Sequence, residues 1–190
     1  MIKTTDDRNQ FIGGSEANMI YMNYESASFK KWWASKLSES PSDSFSNIHM
    51  SVGTILEHDI LDLYERVNNV KGIREAQKVK GIARANTDYI LGNKVSDVKA
   101  TNKAFEWFLK EKVPLNYKRQ LIHYMYIFGL SEASIIAYQV DKALMTNPFE
   151  SLVPSKLFEV MVPVTTDEIT VHKQKIDYLE HCKSISIFPK

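Results

Sequence analysis

Cysteine is nearly missing from this chain: Cys182 stands alone among 190 residues. No disulfide framework can form within the chain, and cysteine-ligated metal or iron–sulfur clusters are excluded for want of ligands. Long apolar runs are also missing. No stretch approaches the ~18 residues that a membrane helix needs, so no membrane partner is expected. Met1-Ile2-Lys3-Thr4-Thr5-Asp6-Asp7-Arg8 carries no apolar segment of the secretory kind. A cytoplasmic protein, in a bacterial host cell, is the expectation. Charge of one sign is lacking too: 24 Lys+Arg against 23 Asp+Glu leave a net charge of +1, so bulk electrostatics offers no argument for a nucleic-acid partner.

The composition that remains, 44% hydrophobic and 25% charged, is that of an ordinary globular protein with a core of its own. With no repeat, no low-complexity tract and no linker-length loop, residues 1–190 are expected to form a single domain. Basic residues do gather locally, as Lys71, Arg74, Lys78, Lys80 and Arg84, and again as Lys110, Lys112, Lys118 and Arg119. Taken alone such clusters describe a solvated face. A nucleic-acid surface, if there is one, must be local and set against an acidic site.

Helical patterns come first along the chain. Ser15, just after Gly13-Gly14, is expected to cap a short helix reaching about residue 23. Phe29, Trp32, Trp33, Lys36 and Leu37 have helical spacing, and Leu56, Ile60, Leu63, Tyr64 and Val67 form an apolar stripe on a helix over residues 52–67. The pattern then changes. Residues 85–91 and 94–101 read as strands joined by Gly92-Asn93, a dipeptide suited to a tight hairpin. Helices are expected over 102–112 and from about 114 to 128, with Gly129 as the stop. Strands follow over 133–141 and 157–164, and a helix over 167–183. Strands between flanking helices imply an α/β layer fold around one small mixed sheet.

That hairpin brings chemistry together. A two-residue turn at 92–93 pairs Leu91 with Lys94, Ile90 with Val95, Tyr89 with Ser96 and Asp88 with Asp97. Directly opposed residues share a face, with Cβ atoms roughly 5 Å apart. Lys99 falls two residues beyond Asp97 on that face, above a partly apolar floor of Ile90 and Val95. Opposed carboxylates repel, and a divalent cation is the natural relief. Mg²⁺ takes oxygen ligands and typically one or two protein carboxylates, and it polarises phosphoryl oxygens. Lys99 would then orient the attacking water or offset charge on the pentacovalent phosphate. Spacing alone leaves a second account equally open, in which Lys99 only neutralises Asp97 on an exposed hairpin.

Other residues converge on the same place. Glu57 lies beside the apolar stripe of its helix, where a carboxylate can point toward the sheet. Gln120, His123 and Tyr124 at i, i+3 and i+4 share one helix face. There a glutamine is placed to hydrogen-bond a phosphate or a water, with Tyr124 buttressing it. Each also has a plainer role, as a solvated helix charge or as part of a half-buried helix.

In order, Ile12-Gly13-Gly14-Ser15-Glu16-Ala17, Trp33-x-x-Lys36, Met50-x-x-Gly53-x-x-x-Glu57, Asp88, Asp97-Val98-Lys99 and Pro114-x-x-Tyr117-x-x-Gln120-x-x-His123-Tyr124-Met125 run along most of the chain. This ordered set resembles the lambda-exonuclease-like, YqaJ-type viral recombinase branch of the PD-(D/E)xK nucleases. The resemblance implies a restriction-endonuclease-like core. Glu57, Asp88 and Asp97 would be metal ligands, Lys99 the catalytic lysine, and Gln120 the glutamine of a Gln-x-x-x-Tyr motif completed by Tyr124. Arg8 and Ser15 would hold a DNA 5′-phosphate, as amides and a hydroxyl at a helix start are suited to do. Thr87 replaces the motif's nominal proline, and Asp97 fills a slot often held by Glu. The implied activity is a Mg²⁺-dependent 5′→3′ exonuclease on double-stranded DNA ends, with Mn²⁺ substituting, in phage-type homologous recombination. A single-strand-annealing protein and a homotrimeric assembly are its implied partners. The same residues also suit a restriction-like or structure-specific endonuclease, and a catalytically silent DNA-binding module remains a third reading.

Overall fold

Gly92, at φ +59°, makes the turn expected of it between β3 (Ala83–Leu91) and β4 (Lys94–Thr101). The register is Leu91↔Lys94, Ile90↔Val95 and Tyr89↔Ser96, and there the ladder stops. The expected fourth pair, Asp88 with Asp97, does not form. The structure, a computed structural model, describes residues 9–38 and 48–190.

Six strands make one mixed sheet in the order β1–β3–β4–β5–β6, with β2 also on β3. β1 is Ile12–Gly13, β2 is Ile73–Lys80, β5 is Glu132–Gln139 and β6 is Leu157–Met161. β4 and β5 run parallel, as do β1 and β3; the other pairs are antiparallel. Because β2 lines β3 from Ala83 to Ile90, β1 and β4 must share the opposite edge, β1 at Ala83–Arg84 and β4 at Tyr89–Leu91. The part of that edge between them is left open around Asp88.

Helices cover both faces, as expected of an α/β layer fold. α1 (Ala27–Leu37) buries Phe29 and Trp33, and α2 (Ile48–Asn68) buries Leu56, Ile60, Leu63 and Tyr64. Val67, expected in that stripe, is half exposed at the helix end. α3 (Ala104–Lys110) precedes α4 (Leu115–Phe128), which Gly129 ends in a left-handed cap. α5 (Lys142–Thr146) and α6 (Thr166–Ser184) complete the set. Alternation along β5 separates the two cores: Ile135 and Ala137 pack with α4, Ile136 and Tyr138 with α2. Among the described residues no helix is long and apolar enough to cross a membrane.

The cap expected at Ser15 does not form; the N-cap position is Gly13. Residues Gly14–Tyr21 form a 3₁₀ helix, and its N-terminal partner is Glu16, whose Oε2 accepts from the Gly13 N–H at 3.0 Å. Glu16 is itself fixed by Trp32 Nε1 (3.0 Å) and Lys36 Nζ (2.9 Å). Ser15 is thereby left outward-facing and exposed.

Candidate active site

Three elements meet where the ladder between β3 and β4 opens. Asp88 turns its carboxylate back onto β4, where Oδ2 accepts the Val98 N–H at 2.7 Å. Asp97 is buried at 1% exposure. Its Oδ1 accepts from Gln120 Nε2 at 2.8 Å, and its Oδ2 lies 2.6 Å from Lys99 Nζ. The second proton of the Gln120 amide goes to the Tyr124 hydroxyl, also at 2.8 Å. The expected association of Asp88, Asp97, Lys99, Gln120 and Tyr124 is therefore one continuous cluster. Tyr117, from the same helix as Gln120, adds a ring 5.2 Å from the Lys99 ammonium.

The electrostatics are those of an under-neutralised acidic site. Burial, then repulsion by Asp97, pushes the Asp88 carboxyl well above the ordinary range, and Glu57 adds to the push. Burial also raises Glu57, with Asp97 again contributing, so the α2 acid sits within electrostatic reach of the pair. Burial opposes the charge of Lys99, yet attraction by Asp97 and Asp88 outweighs it and raises its pKa. Lys99 stays an ammonium at neutral pH. Burial and the same two carboxylates hold the Tyr124 hydroxyl protonated.

Asp97 Oδ2 is fully buried, and its partner among the described residues is the Lys99 ammonium at 2.6 Å. Asp97 takes that ammonium, while Asp88 has no ion pair among the described residues and is repelled by Asp97. A buried charge left so is costly, and a divalent cation held by the two carboxylates would relieve it. The donor set fits such an ion: hard oxygens from two carboxylates, the number Mg²⁺ commonly takes from a protein, with its other positions left to water and phosphate oxygen. Among the described residues no group of three His, Cys, Asp or Glu side chains closes around a metal by itself. Glu57 stands at the edge of the pair.

Beside the cluster, a cavity of about 250 Å³ is lined by Gly13, Gly14, Ser15, Arg84, Asn86 and Tyr124, with Glu16 at its side. Tyr124 thus has the cavity on one side and Gln120 on the other. Gly14 is required by this arrangement, because a Cβ there would lie 2.3 Å from the Tyr124 ring. Arg84 and Asn86 stand in β3, four and two residues before Asp88; no feature of the sequence separates them from a solvated strand. Arg8 lies outside the described residues.

His123 does not join the cluster, although it shares a helix face with Gln120 by count. It is fully buried, with Nε2 against the Arg84 carbonyl at 3.1 Å and Nδ1 against His172 Nε2 at 3.0 Å. The Tyr21 hydroxyl meets His172 Nδ1 at 2.8 Å. A carbonyl only accepts, so the directions follow along the chain: Tyr21 donates to His172, His172 to His123, and His123 to Arg84. Both rings are neutral, burial holding them down at about 4 for His123 and about 3 for His172.

The model of the YqaJ-like viral recombinase domain matches residues 5–131. Among solved structures, an alkaline exonuclease from Laribacter hongkongensis is similar over 94% of this chain and 90% of its own, with 15% identity and a TM-score of 0.76. The structure of that exonuclease, LHK-Exo, in complex with dAMP gives 95%, 91%, 16% and 0.71 in the same order. A phage-related exonuclease from Haemophilus somnus 129PT gives 93%, 94%, 13% and 0.63. At these identities the likeness establishes the fold, a restriction-endonuclease-like mixed sheet flanked by helices. A search of curated proteins finds no significant match.

Proposed function

From the premise that the chain belongs to the YqaJ-like viral recombinase family, a family of phage-type exonucleases, we propose that it is a Mg²⁺-dependent 5′→3′ exonuclease on double-stranded DNA ends. The observation that carries this reading is the cluster Asp88–Asp97–Lys99–Gln120–Tyr124, in which the Lys99 ammonium faces the charge of both Asp97 and Asp88.

Asp88 and Asp97 would hold the cation, with Glu57 contributing from α2. When bound, the ion supplies Lewis acidity and charge neutralisation at the phosphoryl group. The chain's own residues do the rest. Lys99, fixed as an ammonium, offsets the negative charge that grows on the phosphate as water attacks in line, and steers that water. Gln120 spends both amide protons on Asp97 and Tyr124, so the Asp97 carboxylate keeps one orientation.

The cavity beside Tyr124 suits a terminal 5′-phosphate, with Ser15 at its rim and Arg84 and Asn86 in its wall; Arg8 would join them. An anchored end phosphate sets the register of the scissile bond and favours ends over internal sites. The role in recombination implies a single-strand-annealing partner and, by family, a homotrimer. Mn²⁺ should substitute for Mg²⁺, since it accepts the same hard ligands.

The test is degradation of linear duplex by purified Asp97→Ala and Lys99→Ala proteins whose circular dichroism matches wild type. Both should lose activity; full activity in either ends the assignment. Nicking of closed circular DNA by wild type would replace the exonuclease reading with an endonuclease.

A further inference from the structure

The two hairpins that share β3 make opposite demands on it, and the strand reconciles them at Asp88. In an antiparallel strand the N–H and C=O of one residue point to the same edge, and successive residues alternate. A two-residue turn is closed by a pair that exchanges both backbone hydrogen bonds. The turn at 81–82 is closed by Lys80↔Ala83, so Ala83 points to β2; the turn at 92–93 is closed by Leu91↔Lys94, so Leu91 points to β4 on the other edge. An even number of steps separates Ala83 from Leu91, so strict alternation would send both to the same edge. The alternation must slip once between them.

Side-chain packing records the slip. Ala83, Ala85 and Ile90 lie in the core with α4, whereas Tyr89 lies in the core with α2. An unbroken strand would put Tyr89 with the two alanines. Between Ile73 and Lys80 the β2–β3 register skips one position, Glu75 opposite Asp88. Glu75 has φ +52°, the left-handed region that non-glycine residues rarely enter. On the other edge, a continued ladder would give the Val98 N–H to Thr87. The slip turns Thr87 away, and Asp88 Oδ2 takes that proton donor instead.

We propose that the left-handed backbone at Glu75 is a positioning element for the metal site: it lets β2 follow the slip and so fixes Asp88 on the Val98 amide, beside Asp97. The role is assigned to the backbone, since the Glu75 carboxylate is exposed, pairs among the described residues with the exposed His58 at 3.4 Å, and reaches the site only as the weakest of the named influences on Glu57. This inference rests on the reading of Asp88 as a cation ligand. Strain next to a functional side chain is a recurrent device for holding it off the regular path.

The experiment compares Glu75→Val with Glu75→Gly and Glu75→Asn. A β-branched residue resists positive φ, whereas Gly and Asn accept it. Two readouts are taken without DNA: Mn²⁺ affinity by calorimetry and hydrogen exchange of the Val98 amide by NMR. Glu75→Val should weaken Mn²⁺ by roughly 10- to 100-fold, as loss of a ligand's orienting partner does, and speed Val98 exchange. Glu75→Gly and Glu75→Asn should stay within about twofold of wild type on both. If Glu75→Val fails to fold, Glu75→Ala takes its place and should move both readouts the same way by less. Wild-type values in the Val or Ala protein overturn the proposal. So does equal weakening in all variants, which would assign the role to the carboxylate. A wild-type protein that binds no Mn²⁺ sinks the metal reading instead, and Val98 exchange then judges the positioning alone.

Discussion

Gly14→Ala should inactivate the enzyme from outside the carboxylate cluster. The new Cβ would lie 2.3 Å from Tyr124 Cε1, 2.6 Å from Cζ and 2.7 Å from the hydroxyl oxygen. Ordinary carbon contacts begin near 3.5 Å, so the ring must retreat by about 1 Å. It has little room, because Tyr124 is 4% exposed and belongs to the core that α4 buries against the sheet. Overpacking of this kind costs about 1–3 kcal/mol, or roughly 2–4 °C of Tm per kcal/mol in a chain of this size. The functional effect should be larger in proportion. Tyr124 holds Gln120, which holds Asp97, and a 1 Å displacement of a catalytic constellation can cost about 100-fold in rate. The assay is release of a terminal label from linear duplex, run beside thermal melting. Full activity with a lowered Tm would refute the link from Tyr124 through Gln120 to Asp97. An unchanged Tm would refute the close approach itself.

Gln120→Ala leaves a buried carboxylate oxygen and a buried hydroxyl unpaired, so stability should fall by about 1–3 kcal/mol and the rate should drop, both measurable on one preparation. Asp88→Asn should raise Tm in metal-free buffer near neutral pH. Its carboxyl is raised by burial and by Asp97, so ionisation costs stability as pH rises through that raised value, while an amide oxygen still accepts from Val98; a lower Tm contradicts this. The buried His123–His172 pair predicts acid lability. Both folded pKa values lie below the unfolded value of about 6.5, so the unfolded chain binds more protons and stability falls as pH drops from about 6.5 toward 4. For His123 alone the loss is of order 3 kcal/mol, and His172→Asn, which cannot charge, should flatten the denaturant-midpoint profile across that window.

Much of the site was legible because short-range rules govern it. Gly92-Asn93 fixed three strand pairs, and the four-residue spacing of Gln120 and Tyr124 on one helix face survives as their hydrogen bond. What escaped has physical reasons. β2 is solvated on most of its length, so Ile73–Lys80 carries no apolar alternation, and its lysines read as a charged surface of the kind that protects an edge strand. β1 is two residues long, below any periodic signal. The slip at Asp88 is a conflict between two turns, visible only once β2 is known to exist, and it is why Asp88 bonds Val98 rather than opposing Asp97. His123 shares a helix face with Gln120 in projection, but α6 supplies His172 as its partner, a long-range contact that spacing along α4 does not encode.

The most direct measurement is digestion of linear duplex labelled at one 5′ end, with and without Mg²⁺, beside closed circular DNA of the same sequence. The account predicts that, with Mg²⁺, the 5′ label is released at once as small products while the circle stays intact, and that chelation or Lys99→Ala stops the reaction. Loss of label that persists in chelator, or cutting of the circle at a comparable rate, would contradict it.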